Sequence, residues 1–333
     1  MAQPAPRRGR TFLCDWRGPA RAQALKTHPR TIDARRRAGL CCEVQKHRAP
    51  PAAISRHFKT GLDMSDALGT YAKIWRAHLV HTDDAGASLV YIDRHILHTD
   101  TSAQAFDGLR LAQRDVRRAE ASFAPHADAP TGNPVQAKLL DTLDANAHEY
   151  HLARFENDEL AEGILQPGMT VCGQRADIGM FGGIGAVCFF TDAAACEHAL
   201  ATQTLHLSAP PVMYIEMAAD MAAHSAESLL AQLVQQAGLP ALRTHALEIG
   251  GTGIAAMDID ARLRLCALLS GISTFGALVA PDEKTIDWLK GKSHAPSGRD
   301  WAFACEYWED LRADENAAYD ARITLGSTAA RSA

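Results

Sequence analysis

The chain lacks any apolar run long enough to span a bilayer, and no apolar core follows its early arginines, so neither a membrane span nor a secretory signal is predicted. Its eight cysteines lack the paired spacing of a disulfide framework. Free thiols are typical of a reducing compartment, so we expect a cytoplasmic protein. The chain beyond residue 63 is acidic, which gives no electrostatic reason to expect nucleic acid as a partner.

Charge is divided unevenly along the chain. Residues 1–63 hold fourteen Lys and Arg against four Asp and Glu, whereas the remainder holds twenty against thirty-five. The first segment is rich in Ala, Arg and Pro and shows no sustained helix or strand period. Three interpretations of it remain open: a disordered basic tail, an organellar transit peptide, or upstream sequence added by a mis-called start before Met64.

From Tyr71 onward, short apolar strands alternate with amphipathic segments, which indicates an α/β architecture. The predicted strands are Leu89–Ile92, the end of Gln166–Cys172, Val212–Met217 and Ala277–Ala280. The predicted helices are Ala103–Leu111, Val135–Ala153, Ala193–Leu205, a helix capped by Ser225 and stopped by Gly238, Asp260–Ile272 and Asp300–Leu311. Asp115–Asp128 and the glycine-rich Gly179–Gly185 are predicted to be loops, the latter serving either tight packing or anion contact through its backbone.

The densest group of polar residues lies in the run from Tyr91 to Arg110, directly after the first predicted strand. Its members are His95, His98, Thr101, Ser102, Gln104 and Asp107. Polar side chains at the end of a strand are typical of a ligand-facing loop. The run closely resembles the N-terminal signature of the large subunit of 3-isopropylmalate dehydratase, an aconitase-family iron–sulfur hydro-lyase.

Further motifs resemble that family in the same order along the chain. They are Pro167–Gly173, Glu197–Thr204, Leu278–Glu283, Lys290-Gly291, His294–Pro296 and Tyr307-Trp308, so the similarity spans residues 71–325. The resemblance implies aconitase-like three-layer α/β/α domains, here at 64–206 and 207–325 with a tail at 326–333. It also implies a hydro-lyase of leucine biosynthesis, a small carboxylic acid as substrate, a small-subunit partner and, in the family, a [4Fe–4S] cluster.

The resemblance also assigns candidate substrate-binding residues. His98, Thr101 and Ser102 match positions at the family's substrate pocket, and Glu248 matches an active-site glutamate. Arg262 is expected to form a structural salt bridge rather than to clamp a substrate carboxylate.

Several family features are missing from the chain. The family's cluster cysteines lie in a Cys-Thr-Asn segment and a later Cys-x-x-Cys of a third domain, and the chain reaches Ala333 without either. The body cysteines are instead expected to be small buried apolar residues; they are Cys172, Cys188, Cys196, Cys266 and Cys305. The family's acid–base motif Gly-Asp-Ser-His-Thr is absent after Gly173, where Asp177 is at most a partial substitute. The family's Asp-His-Asn motif is also absent, because this chain has His126–Pro130 at that position.

The sequence therefore predicts no catalytic residue, no metal ligand and no cofactor for this chain. It predicts a divergent, truncated homologue of the dehydratase large subunit that is inactive alone. Two alternatives remain: a pseudoenzyme that binds a small carboxylate or a partner, and a subunit that a separate chain completes.

Overall fold

The structure is a computed structural model of the chain. It describes residues 67–99, 102–126, 133–155, 159–173 and 176–326, apart from the side chains of residues 176 and 177. The basic segment 1–63, Thr101, the side chain of Asp177, most of the His126–Pro130 stretch and all but the first residue of the tail 326–333 lie outside the described residues.

Strands and helices alternate through the described residues. The strands are β1 (Leu79–Thr82), β2 (Ala87–Tyr91), β3 (Arg94–Ile96), β4 (Ser122–Pro125), β5 (Ala153–Phe155), β6 (Thr170–Gly173), β7 (Val187–Phe190), β8 (Thr204–Ser208), β9 (Val212–Met217), β10 (Ala246–Gly250), β11 (Ala277–Val279) and β12 (Ala321–Leu325). The α-helices are α1 (Thr70–His78), α2 (Ser102–Leu111), α3 (Pro134–Glu149), α4 (Ala193–Thr202), α5 (Ala226–Ala237), α6 (Leu239–Thr244), α7 (Thr252–Ala256), α8 (Ile259–Ser270), α9 (Glu283–Leu289) and α10 (Arg299–Asp310). Shorter helical turns occupy Ala119–Ala121, Leu160–Ile164, Ala176–Ile184 and Ala219–Ala223.

Five strands form a fully parallel sheet in the order β5-β4-β3-β6-β7. Helices α2, α3 and α4 contribute apolar side chains to a core on one face of this sheet. The 176–184 helix and the start of α8 contribute to the core on the other face. Both faces are thus covered, as parallel sheets require.

Four strands form a second parallel sheet in the order β11-β10-β9-β12. Met213, Ile215 and Met217 alternate along β9 and enter a core that α5 and α8 complete. On the opposite face, Leu278 joins a core formed with α1 and α10. Helices therefore cover both faces, which confirms the α/β fold class with parallel sheets.

A small antiparallel sheet of β1, β2 and β8 completes the strand set of the described residues. The domain boundary predicted between residues 206 and 207 falls inside β8, so that division remains a prediction. None of the helices within the described ranges combines the length and apolar character needed to cross a bilayer.

Local signals predicted several elements closely. β9 has the predicted bounds, and the Ser225 Oγ accepts a hydrogen bond from the Ser228 N–H at 3.2 Å at the start of α5. Gly238 ends that helix with a φ of 79°, a conformation that glycine adopts without strain. Trp308 of α10 is buried and contributes to the core that includes α1.

Other predictions were wrong. Asp115–Asp128 was predicted to be a loop, but it contains β4, a four-residue strand that ends in a proline and follows a charged turn. Pairing with β3 and β5 stabilises this strand, and no feature of the local sequence indicates that pairing. The helix predicted over Val135–Ala153 ends at Glu149, and Ala153 begins β5.

The glycine-rich segment Gly179–Gly185 is also not the predicted loop, because Ala176–Ile184 is a 3₁₀ helix. A Cβ atom on Gly182 would lie 1.8 Å from the carbonyl oxygen of Ala277, and one on Gly183 would lie 2.7 Å from the carbonyl carbon of Arg262. The glycines therefore permit direct backbone contact with β11 and α8. Tight packing accounts for them without a bound anion.

Arg262 of α8 is fully buried and forms the structural salt bridge that the sequence predicted. Its Nη2 atom lies 2.6 Å from Asp282 Oδ2, and its Nε donates to the carbonyl oxygen of Ile254 at 3.1 Å. Burial alone would raise the pKa of Asp282, but the hydrogen bond and charge of Arg262, with the N–H and hydroxyl of Thr285, outweigh it and hold that pKa below its ordinary value.

Replacing Asp282 with Asn removes the charge that faces Arg262 but keeps a side-chain oxygen for the Thr285 N–H. We expect Asp282→Asn to lower the free energy of unfolding by about 2–3 kcal/mol near pH 7. Because folding lowers the pKa of Asp282, this stabilisation is fully present at pH values above the unfolded-state pKa and is lost as the pH falls through the lower folded-state pKa.

Urea unfolding at neutral and at progressively acidic pH measures the difference between wild type and variant. Glu283→Gln changes the neighbouring exposed carboxylate and should alter stability by less than about 0.5 kcal/mol. An Asp282→Asn variant as stable as this control at pH 7 would contradict the prediction.

Candidate active site

The order of the five-stranded sheet places a topological switch point at its carboxyl edge, the position at which open α/β sheets form a ligand-binding crevice. The chain runs from β3 outward to β4 and β5, then returns to β6 on the other side of β3 and continues to β7. Strand order therefore reverses between β3 and β6, and ligands of open α/β sheets bind at the carboxyl ends of strands at such a reversal. The residues that directly follow β3 include three of the predicted substrate-binding residues.

His98 and Ser102 lie at this edge, within the turn that joins β3 to α2. Ser102 is the first residue of α2, and its N–H donates to the carbonyl oxygen of His98 at 3.3 Å. The Ser102 side chain is 1% exposed, yet its Oγ atom has no hydrogen-bond partner among the described residues. Buried hydroxyls are nearly always paired, so this atom is suited to a ligand or to a group outside the described residues.

His95 belongs to the same run but lies in the sheet interior. Its Nε2 atom is 3.5 Å from Cys196 Sγ, and its Nδ1 atom has no partner among the described residues. Burial lowers the pKa of His95 to about 4, so the ring is neutral at physiological pH. His95 therefore contributes to the core and is not positioned as an acid or base at the crevice.

Glu248 lies on β10 of the other parallel sheet, where its carboxylate is almost fully buried. Oε1 accepts hydrogen bonds from the N–H of Thr70 at 3.0 Å and from the hydroxyl of Tyr319 at 2.7 Å, and Oε2 accepts from the N–H of Tyr71 at 2.9 Å. A carboxylate here satisfies the free N–H groups at the start of α1. The predicted substrate contact of Glu248 stays a prediction, whereas its observed contacts are structural.

A buried Asp–His pair is present that sequence reasoning missed. His78 Nε2 lies 2.7 Å from Asp93 Oδ2, and His78 Nδ1 lies 2.7 Å from the carbonyl oxygen of Ile74. Asp93 Oδ2 also accepts from the N–H of Thr170 at 3.0 Å. Asp93 precedes β3 and Thr170 opens β6, so the pair joins the amino ends of these strands, at the edge opposite His98. No spacing in the sequence indicates this contact.

The buried cysteines do not fit the [4Fe–4S] cluster that the family resemblance implies. Cys172, Cys188, Cys196 and Cys266 are buried as predicted, whereas Cys305 on α10 is only partly buried. Burial raises the pKa of Cys188 and Cys196 to about 12. Cluster irons are held by thiolates, which these surroundings disfavour. Across the described ranges, no group of three or more His, Cys, Asp or Glu side chains is arranged to hold a metal ion.

The contacts of Glu248 predict that it stabilises the fold. Glu248→Gln replaces one acceptor oxygen with an NH₂ group that cannot accept from backbone N–H groups. We expect a loss of about 2–3 kcal/mol in the free energy of unfolding and faster hydrogen exchange at the Thr70 and Tyr71 amides. Glu216→Gln, on an exposed carboxylate of the neighbouring strand β9, is the matched control. Equal stability of the two variants would contradict a structural role.

A family model described as "Aconitase family (aconitate hydratase)" matches residues 72–330. The match begins within α1, extends across both parallel sheets and covers most of the chain. It includes the crevice with His98 and Ser102 as well as β10 with Glu248. The match shows that the chain belongs to the aconitase family, whose reaction is of the hydro-lyase type.

Proposed function

We propose that the chain is a divergent homologue of the large subunit of 3-isopropylmalate dehydratase, a hydro-lyase of leucine biosynthesis, and that it is inactive as an isolated polypeptide. The observation that carries this proposal is the state of its described cysteines. Cys172, Cys188, Cys196 and Cys266 lie in apolar cores, where burial raises the pKa of each thiol, whereas the family relies on thiolates to hold its cluster.

The family's cluster supplies a Lewis acid that acts on the substrate's hydroxyl and carboxylate groups. Electrostatic stabilisation of this kind is usually the largest single contribution to catalysis. Releasing Cys172 or Cys196 as ligands would require opening cores in which both side chains are fully buried. The described residues therefore offer no substitute for this contribution.

The proton-transfer groups of the described residues support the same proposal. His95 is buried and neutral, and the His78–Asp93 pair lies at the opposite edge of the sheet from the crevice. Glu248 already accepts three hydrogen bonds within the fold. His98 is the remaining histidine of the predicted pocket at the crevice.

We propose a small carboxylic acid as the ligand of the crevice, with Ser102, His98 and Thr101 as its contacts. The unpaired Ser102 hydroxyl favours retained ligand binding, because a ligand oxygen would satisfy it. A small subunit of the dehydratase type is the proposed protein partner, and the cytoplasm the proposed location. The division into domains at 64–206 and 207–325 is proposed on the same resemblance.

Two serine variants test the crevice, because their effects on stability and binding should be opposite. Ser102→Ala removes an unpaired hydroxyl, so we expect no loss of stability but at least about tenfold weaker binding of 2-isopropylmalate by calorimetry. Ser122→Ala is the control, because the equally buried Ser122 Oγ donates to the Arg118 carbonyl oxygen at 3.1 Å. It should lose about 1 kcal/mol of stability and retain binding. Ser102→Ala with destabilisation and unchanged binding would refute the proposed ligand contact.

Anaerobic reconstitution of the full chain with iron and sulfide tests inactivity. We expect iron and sulfide to be lost on desalting and no hydration of isopropylmaleate, with or without an added small subunit. Stoichiometric iron and sulfide retained together with turnover by the chain alone would overturn the proposal. Turnover only after a separate polypeptide with a Cys-x-x-Cys segment is added would identify a subunit that another chain completes.

A further inference from the structure

A second concave site lies at the carboxyl ends of β10 and β11 in the four-stranded sheet. Its cavity of about 490 Å³ has the volume of sites that hold small organic ligands. Gly250 ends β10 and Val279 ends β11, so the cavity occupies the edge at which open α/β sheets bind ligands. Neither His98 nor Ser102 lines it, which separates it from the candidate active site.

The floor of this cavity is apolar and preformed. Ile249, Ile254 and Val279 line it, and each is at least 95% buried. Gly251 lies in the turn after β10 and has a φ of 94°. A Cβ atom on Gly251 would lie 2.5 Å from the carbonyl oxygen of Met217. Packing against β9 thus fixes the turn, so the backbone beneath the cavity is held in one conformation.

Two of the four charged residues that line the cavity already have partners. Asp282 pairs with Arg262, as described above. Lys284 Nζ donates to the carbonyl oxygens at the end of α7 and just beyond it; these belong to Ala255 at 2.7 Å, Ala256 at 2.9 Å and Met257 at 3.0 Å. Neither group is therefore available to a ligand without loss of an existing contact.

The other two charges are available. Arg312 Nε donates to the carbonyl oxygen of Pro281 at 3.2 Å, which orients the guanidinium, and its two terminal nitrogens have no hydrogen-bond partner among the described residues. Glu283 is exposed, and its carboxylate has no hydrogen-bond partner within the described chain. The cavity thus presents one oriented cation, one carboxylate and an apolar floor.

We propose that this cavity binds an α-amino acid with an apolar side chain. The ligand's carboxylate pairs with the Arg312 guanidinium, its ammonium group pairs with Glu283, and its side chain rests on Ile249, Ile254 and Val279. A dianion fits less well because Glu283 repels it, and a neutral apolar molecule leaves both charges unpaired. The site is independent of the function proposed for the crevice.

Calorimetric titration of the full chain with L-leucine tests this assignment. The comparison ligands are 4-methylpentanoate, which lacks the ammonium group, L-leucinamide, which lacks the carboxylate, and inorganic phosphate. We expect L-leucine to bind at least about tenfold more tightly than each comparison ligand. We also expect Arg312→Gln and Glu283→Gln each to weaken the binding of L-leucine by about tenfold.

Arg299→Gln and Glu306→Gln on α10 are matched controls, because both residues are exposed and neither lines the cavity. They and Ser102→Ala should leave leucine binding unchanged, and circular dichroism confirms that each variant is folded. The proposal is overturned if leucine shows no saturable binding, if 4-methylpentanoate or phosphate binds as tightly as leucine, or if folded Arg312→Gln binds leucine as wild type does.

Discussion

Direct backbone contact between the 176–184 helix and α8 determines much of the rest of the structure. Gly183 leaves no side chain between these elements, and Gly182 likewise allows the helix to contact the backbone of β11, so α8 lies deep between the two parallel sheets. Ile259 and Leu263 of α8 enter the core of the five-stranded sheet, and Leu265 and Leu269 enter that of the four-stranded sheet. A helix buried on two sides also buries Arg262, which explains why that residue needs Asp282 and a carbonyl oxygen as partners.

The sequence predicted those elements whose signals are local. Alternating apolar residues indicated β9, and Ser225 and Gly238 supplied the start and stop of α5. β4 was missed because its four residues acquire strand structure only by pairing with β3 and β5. The glycine-rich segment was predicted wrongly for a similar reason, since Gly182 and Gly183 contact Ala277 and Arg262, which follow them by 95 and 79 positions.

The sequence identified individual residues of the candidate site but not their contacts. The resemblance and the position after β3 identified Ser102 as a candidate, but its unpaired hydroxyl is visible only in the folded chain. Glu248 was identified by a short motif, although its three donors come from Thr70, Tyr71 and Tyr319, far away in sequence. The His78–Asp93 pair was not predicted, and the fold brings it together at the edge of the sheet opposite the crevice. In the proposed function, the geometry of these groups, rather than their presence, separates ligand binding from catalysis.

The capping of α1 by Glu248 has a consequence for synthesis of the chain. The N–H groups of Thr70 and Tyr71 emerge from the ribosome 178 and 177 residues before their acceptor. At about 5–20 residues per second, this delay is roughly 9–36 s. Tyr319, which holds the same carboxylate, arrives 71 residues later still. The first helix of the described body therefore depends on some of its last-made residues, and a nascent chain halted before Tyr319 would present an incompletely anchored α1 to chaperones and proteases.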